Sequence, residues 1–188
     1  MTARLAHALG IDAAIIPATD DRLRTWVETP AGGFAFQEWF VARRHRDEVD
    51  AVRFEGDARP APGVLEALAA ADLIVIAPSN PYVSIWPILA VAGIREGLAA
   101  RRVPCVAVSP LVGGRAVKGP ADRMLARMAG GTTPAHVAGC YEGLIDALVV
   151  DESDPFAPLA VRRIVTRTLM TDLDASRRLA LAVLEAAA

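Results

Sequence analysis

The chain has 188 residues, 53% of them hydrophobic, and its mean hydropathy is +0.33. These values favour one packed domain over residues 1–188 and exclude an intrinsically disordered chain. The formal net charge of −2 gives no reason to expect a nucleic-acid partner. No apolar run reaches the roughly 20 residues that cross a bilayer, and the N-terminus lacks the pattern of a secretory signal. We therefore expect a cytoplasmic protein with no membrane association.

Hydrophobic periodicity and turn residues divide the chain into short elements. Two short apolar runs around the turn 30–33 predict a hairpin, and strands then alternate with helices, as in βαβ units with right-handed crossovers. We expect an α/β fold, a three-layer, Rossmann-like and mostly parallel sheet with helices on both faces. The predicted strands are 13–16, 25–29, 34–36, 50–54, 73–76, 103–108, 148–150 and 163–169. The predicted helices are 2–10, 37–44, 60–72, 88–98 with a break at Gly93, 120–128, 134–145 and 175–187.

The cysteines and histidines do not suggest a metal site. Cys105 falls in a predicted buried strand and Cys140 in a predicted helix, and neither has a metal-ligand neighbour at useful spacing. We interpret both as reduced core residues. His7, His45 and His136 show no mutual spacing typical of zinc, so each is interpreted as structural.

Two loops directly follow buried strands of the predicted sheet. In open α/β sheets, ligands bind beyond the carboxyl ends of the strands, and loops 77–87 and 109–120 both begin there. The first loop carries Ser79, Asn80 and Ser84 among three prolines that stiffen its backbone. For a single Ser or Asn, a helix cap or Asx turn is the favoured alternative. For the cluster we favour a ligand site.

The second loop begins at Ser109 and reads SPLVGGRAVKGPADRM. A glycine pair lets a backbone approach phosphate oxygens, basic side chains supply charge, and a following helix start attracts anions. The residues with these properties are Gly113, Gly114, Arg115, Lys118, Gly119 and Arg123. The P-loop pattern is absent, and exposed basic residues are commonly only solvated. Facing the first loop, however, this segment predicts a diphosphate or nucleotide pocket.

The adjacent carboxylates Asp20 and Asp21 are a weaker candidate site. Such a pair can bind a metal ion or a ribose. It more commonly belongs to a turn, and we favour the turn interpretation.

Four stretches together closely resemble the 2-phospho-L-lactate transferase (CofD) family. They are PSNPYVSIWPILAVAGIRE, VAVSPLVGGRAVKGPADRML, RTWVETPAGGFAFQEWFV and TLMTD. The S-N-P-x-x-S-I and G-G-x-A-V-K-G-P-A-D patterns are specific when found together, and the resemblance extends from about Thr2 to the C-terminus.

This resemblance implies a transferase of coenzyme F-420 biosynthesis. Such an enzyme moves a phospholactyl or phosphoenolpyruvyl group from a guanosine diphosphate-linked donor to the ribityl hydroxyl of the deazaflavin FO, and it releases GMP. The resemblance also implies Mg²⁺ as cofactor. It places the guanosine diphosphate portion of the donor on Ser79, Asn80, Ser84 and residues 113–118.

The sequence also departs from the family pattern. The family's Gly-rich first strand, loop and helix, and the acidic metal and deazaflavin site after them, are not found here. The resemblance therefore implies a sheet without the family's N-terminal strands, no metal ligand and no assigned catalytic residue in this chain, and no turnover by the chain alone. We therefore expect this chain to be a fragment, a protein with a wrongly assigned start, or half of a split enzyme. An open sheet edge would favour a homodimer.

Single-residue departures occur in the first loop and in the helix after it. Trp86 stands where the family has glycine, and Ala92 where it has proline. We expect the indole of Trp86 to add bulk beside the pocket.

Two other functions fit the same fold. One is a non-catalytic nucleotide-sugar-binding regulator of the gluconeogenesis-factor type, and the other is an α/β partner subunit with a degenerate pocket. Binding of GDP or GMP favours the transferase, binding of a UDP-sugar favours the regulator, and no nucleotide binding favours the partner subunit.

Overall fold

The computed structural model describes residues 2–187, which form nine strands, seven α-helices and two short π-helical segments. The strands are β1 (Arg24–Thr29), β2 (Gly32–Ala35), β3 (Ala51–Glu55), β4 (Ile74–Ile76), β5 (Cys105–Val108), β6 (Leu111–Val112), β7 (Arg115–Ala116), β8 (Ala147–Asp151) and β9 (Arg162–Thr166). The α-helices are α1 (Thr2–Ala8), α2 (Val64–Ala70), α3 (Trp86–Leu89), α4 (Ile94–Ala99), α5 (Ala121–Met128), α6 (Pro134–Gly139) and α7 (Leu173–Ala187). The π-helical segments are Glu38–Ala42 and Pro81–Ile85.

The central sheet is parallel throughout and has the strand order β4-β5-β8-β9. Every residue of β5 and β8 is buried, because both faces of the sheet are covered. Val106, Val108 and Val149 pack with Leu179 and Val183 of α7 on one face. The alternate side chains of the same strands belong to the larger core on the other face. The predicted three-layer, Rossmann-like α/β fold is confirmed.

A smaller antiparallel sheet, with strand order β2-β1-β3, precedes the central one in the chain. It contains the predicted hairpin. The π-helical segment Glu38–Ala42 follows β2 and is fixed by Trp39, which is fully buried and donates from Nε1 to the Asp47 carbonyl at 3.3 Å. The small sheet is joined to α5 by Arg127, which donates to the Asp50 carboxylate at 2.9 Å. Residues 36–40 thereby come to lie beside the central sheet.

Two sequence predictions about elements are wrong. Residues 13–16 form no strand, and Ile15 and Ile16 remain largely exposed. Four apolar residues do not make a strand without a sheet edge to pair with, and a run this short has no period that identifies it. The helix predicted over 134–145 ends at Gly139, so Cys140 follows the helix instead of lying inside it.

The remaining predicted elements are confirmed. Most of their observed ends lie within three residues of the predicted ends. The break at Gly93 is confirmed, because this residue has φ +80° and separates α3 from α4. Both cysteines are free thiols. Within residues 2–187, no helix combines the length and the apolar character that crossing a membrane requires.

Candidate functional site

A cavity of about 520 Å³ opens beyond the carboxyl ends of β4, β5 and β9. Parallel strands end at the same edge of a sheet, so the segments that follow them converge there. The loops after β4 and β5 form two walls, the segment after β9 forms a third, and the π-helical region of the small sheet forms a fourth. The lining residues are Phe36, Phe40, Pro78, Ser79, Asn80, Val83, Ser84, Ser109, Pro110, Val112, Val117, Lys118, Gly119, Pro120, Ala121, Thr168, Leu169 and Met170.

The structure brings together six of the twelve candidate site residues that the sequence singled out. The two loops face each other because β4 and β5 are neighbours in the sheet. The predicted site residues on the cavity wall are Ser79, Asn80, Ser84, Ser109, Lys118 and Gly119.

In the first loop, Asn80 caps the π-helical segment Pro81–Ile85. Its Oδ1 accepts from the backbone N–H groups of Tyr82 at 2.9 Å and Val83 at 3.4 Å, and its Nδ2 lies 3.3 Å from the sulfur of Met124. The capping alternative therefore describes Asn80 correctly, although the residue also lines the cavity. Ser79 and Ser84 are partly exposed and line the cavity, where their hydroxyls can contact a ligand.

In the second loop, Ser109 is part of the framework and Lys118 is available to a ligand. Ser109 is buried, its N–H donates to the Val149 carbonyl at 2.8 Å, and its Oγ accepts from the Leu111 N–H at 3.2 Å. Lys118 is exposed on the rim, and none of the ion pairs found among residues 2–187 involves it. The cavity therefore has one basic group without an internal counter-ion.

The glycine pair and two of the basic residues do not line the cavity, contrary to the sequence prediction. Gly113 and Gly114 have φ +61° and +72° and form the two-residue turn between β6 and β7. The Gly114 N–H is committed, because it donates to Asp154 Oδ1 at 2.9 Å. Arg115 is exposed on β7, outside the cavity wall. The backbone of this pair is therefore a structural turn.

Arg123 also lies outside the cavity wall, because the small sheet engages it. Its guanidinium donates to the carbonyl oxygen of His45 at 2.6 Å and lies 2.8 Å from Nδ1 of the same residue. Arg123 therefore helps to dock the π-helical region of the small sheet onto α5.

Asp20 and Asp21 lie in a bend of the backbone. Asp21 accepts from the backbone N–H of Arg59 at 3.0 Å and from its Nε at 3.3 Å, and the backbone hydrogen bond lowers the pKa of Asp21. Asp20 is exposed and does not line the cavity.

Trp86, expected to add bulk beside the pocket, does not line the cavity. Its Nε1 donates to the Cys140 carbonyl at 3.2 Å, and its ring packs edge-on against Tyr82 at 4.7 Å. Both contacts direct the indole into the protein and away from the cavity.

Sequence reasoning missed two walls of the cavity. Phe36 and Phe40 form an aromatic wall, with stacked rings whose centroids are 5.3 Å apart. Thr168, Leu169 and Met170 form the wall after β9. The signals were the aromatic spacing in FAFQEWF and the TLMTD stretch, but nothing local to either segment shows which strand ends they approach.

A turn after β8 lies behind these walls. We call residues 151–154 the tether turn. Asp151 is buried and accepts four hydrogen bonds, at Oδ1 from the N–H and Oγ of Ser153 (3.0 and 2.5 Å) and at Oδ2 from the N–H and Oγ1 of Thr168 (2.8 and 3.1 Å). Asp154 accepts from Gly114 and, at Oδ2, from the Asp151 N–H at 3.2 Å.

The pKa values of the two carboxyl groups of the tether turn are shifted in opposite directions. Burial raises the pKa of Asp151, but the four hydrogen bonds from Ser153 and Thr168 outweigh it, so the pKa lies below its ordinary value. Burial raises the pKa of Asp154 above its ordinary value, and the neighbouring Asp151 carboxylate adds to the rise while the Gly114 N–H opposes it.

The described residues do not form a site for the implied Mg²⁺. Within residues 2–187 no three His, Cys, Asp or Glu side chains come close enough together to hold a metal ion. The carboxylate oxygens of Asp151 and Asp154 accept hydrogen bonds from N–H and O–H groups, so they are not arranged to coordinate a cation.

Curated proteins similar to this chain are named as transferases. The family model described as 2-phospho-L-lactate transferase CofD matches residues 1–187. The chain is 43% identical over 185 residues to the phosphoenolpyruvate transferase of Streptomyces griseus, covering 92% of this chain and 58% of that protein. It is 37% identical over 182 residues to the 2-phospho-L-lactate transferase of Methanococcoides burtonii, covering 93% of this chain and 59% of that protein. The chain thus spans less than two thirds of the length of these curated relatives.

A solved structure shares the fold. The crystal structure of a UPF0052 family member from Bacillus halodurans superposes with a TM-score of 0.70 at 18% identity, covering 97% of this chain and 64% of that one. At this low sequence identity, the similarity shows only that the fold is shared. With the match over residues 1–187 and relatives at 37–43% identity, the chain belongs to the 2-phospho-L-lactate transferase CofD family.

Proposed function

We propose that the cavity binds the guanosine diphosphate portion of a donor, and that this chain is the donor-binding part of a transferase of coenzyme F-420 biosynthesis. The observation that carries the proposal is the position of Lys118, which lies without an internal counter-ion on the rim of a cavity at the carboxyl ends of a parallel sheet. Ser79 and Ser84 line the same cavity and carry hydroxyl groups. The family matches support a phospholactyl or phosphoenolpyruvyl group as the cargo.

The chemistry that this site would assist is a phosphoryl transfer. The deazaflavin hydroxyl attacks the phosphorus that is esterified to the lactyl or enolpyruvyl oxygen, its proton passes to solvent, and the bond from that phosphorus to the bridging oxygen breaks to release GMP. Charge grows on the bridging oxygen, so a fixed ammonium group beside it lowers the barrier. In this proposal Lys118 holds the diphosphate, and any Mg²⁺ would need ligands that this cavity does not supply.

The aromatic wall suits the other end of a nucleotide. Phe36 and Phe40 present partly exposed rings on the same cavity as Lys118. Stacking of a base on an aromatic side chain contributes about 1–3 kcal/mol. A ligand with a planar ring and a diphosphate therefore matches both parts of the lining.

The proposal predicts that this chain binds GDP and GMP more tightly than a UDP-sugar by at least tenfold. Isothermal titration of the purified chain with GDP, GMP, UDP-N-acetylglucosamine and inorganic pyrophosphate measures this ratio. Preference for the UDP-sugar would support the regulator instead, and no binding of any nucleotide would support the partner subunit.

A second prediction concerns the aromatic wall. We expect Phe36→Leu and Phe40→Leu each to weaken GDP binding by about tenfold and to leave pyrophosphate binding unchanged. The reason is that the base loses stacking worth about 1.4 kcal/mol of binding free energy. Phe34→Leu is the matched control, since Phe34 packs under Arg43 at 4.2 Å and does not line the cavity. Equal losses for GDP and pyrophosphate would exclude base stacking on these rings.

A further inference from the structure

The tether turn, residues 151–154, is hydrogen-bonded to two walls of the cavity without lining it. Asp151 holds Thr168, the first residue of the wall after β9. Asp154 holds Gly114, whose hairpin leads directly to Lys118. We infer that Asp151 and Asp154 are positioning residues that set the distance between the Lys118 rim and the 168–170 wall. This inference rests on the proposed function for its effect on affinity.

The chemistry of the contacts requires a carboxylate at position 151. Four donors surround it, two at each oxygen, and a carboxylate offers acceptors on both sides. An asparagine has one acceptor oxygen, so its NH₂ group would face N–H and O–H donors on one side. Asp151→Asn therefore loses the bonds to Ser153 or those to Thr168, and it leaves buried donors without a partner.

The contacts made by Asp154 connect the two walls to each other. Its Oδ1 accepts from Gly114 and its Oδ2 from the Asp151 backbone, so one side chain ties the β6–β7 hairpin to the end of β8. Gly114 also has little space for a side chain, because a Cβ there would lie 3.3 Å from Thr132 Oγ1. The hydrogen bond from Gly114 to Asp154 therefore makes the place of the hairpin relative to Thr168 depend on the tether turn.

The alternative is that these carboxylates stabilise the fold and nothing more. Asp146 offers a matched control for that alternative. It lies at the other end of β8, about 17 Å away along the strand. There its Oδ2 accepts from the Cys105 N–H and from Arg101, each at 2.8 Å. Asp146→Asn also disturbs a strand-end carboxylate, and it does so away from the cavity.

The test compares Asp151→Asn with Asp146→Asn in the full 188-residue chain. Amide hydrogen exchange without ligand is measured first. We expect exchange at residues 168–170 to become at least tenfold faster in Asp151→Asn and to stay within twofold of the parent in Asp146→Asn. GDP titration is measured second, and we expect about tenfold weaker binding for Asp151→Asn alone at temperatures where both variants are folded.

The two readouts separate this inference from the proposed function. Unchanged exchange at residues 168–170 in folded Asp151→Asn overturns the inference, whatever GDP does. Faster exchange with no GDP binding by the parent chain upholds the positioning role and removes the proposed ligand. Equal loss of GDP affinity in both variants also overturns the inference, because it assigns the effect to general stability.

A second variant keeps the test decisive if Asp151→Asn does not fold. Thr168→Val has the same shape and removes only the hydroxyl donor to Asp151. We expect about threefold faster exchange at residues 168–170 in this variant. Exchange equal to that of the parent would overturn the inference.

Discussion

Lys118→Met is expected to weaken GDP binding by about 30-fold. The ammonium group is the basic group of the cavity rim that has no carboxylate partner among residues 2–187, so its charge is available to a diphosphate. A hydrogen bond to a charged group contributes about 1.5–3 kcal/mol, and 2 kcal/mol corresponds to roughly 30-fold in Kd. Methionine keeps most of the length of the side chain and removes its charge. Calorimetric titration measures the loss.

Arg115→Met is the matched control for Lys118→Met. Arg115 is also exposed and lies three residues earlier on the same segment, but it does not line the cavity. We expect its GDP affinity to stay within twofold of the parent and the salt dependence of binding to remain unchanged. The reverse result, a large loss at Arg115 and none at Lys118, would mean that the ligand lies on the outer side of the hairpin and would reject the cavity.

Asn80→Asp is expected to weaken GDP binding by about 100-fold while leaving the fold intact. Aspartate caps a helix as well as asparagine, so the acceptor for the N–H groups of Tyr82 and Val83 is kept. The new carboxylate faces an anionic ligand, and like charges about 4 Å apart cost up to about 4 kcal/mol at an effective dielectric of 20. We expect a melting temperature within about 3 °C of the parent.

Two variants control for this effect. Asn80→Ala removes the cap, which costs about 1 kcal/mol of stability, without adding charge, so its affinity should fall far less than that of Asn80→Asp. Gln37→Glu makes the same amide-to-acid change at an exposed position beside, but outside, the cavity wall. We expect its GDP affinity to stay within threefold of the parent. Tight GDP binding by Asn80→Asp would show that no phosphate approaches this loop.

Much of the central sheet could be predicted because its signal is local. The runs that became β5 and β8 are apolar throughout, as strands covered on both faces must be. The loops after β4 and β5 could be placed at one edge because parallel strands with crossover connections end on the same side. The predicted strand at 13–16 failed because four apolar residues do not specify a partner.

The roles of particular residues inside those loops could not be predicted in the same way. Gly113 and Gly114 look like a phosphate cradle in the sequence, yet they form a hairpin turn whose N–H is taken by Asp154, forty residues away. Arg123 looks available, but a backbone carbonyl from the small sheet accepts its hydrogen bond. In both cases a distant segment decides whether a polar group remains free.

By itself the sequence determined the α/β class, the family, and the edge of the sheet at which a ligand binds in such folds, because hydrophobic periodicity and the alternation of strands with helices can be read along the chain. Only the tertiary structure decided which side chains share one cavity. It places Phe36 and Thr168 on the wall of the cavity that carries Lys118 on its rim, and it places the glycine pair outside that cavity. The physical reason is that packing and buried hydrogen bonds between segments far apart in the chain set the direction of each side chain.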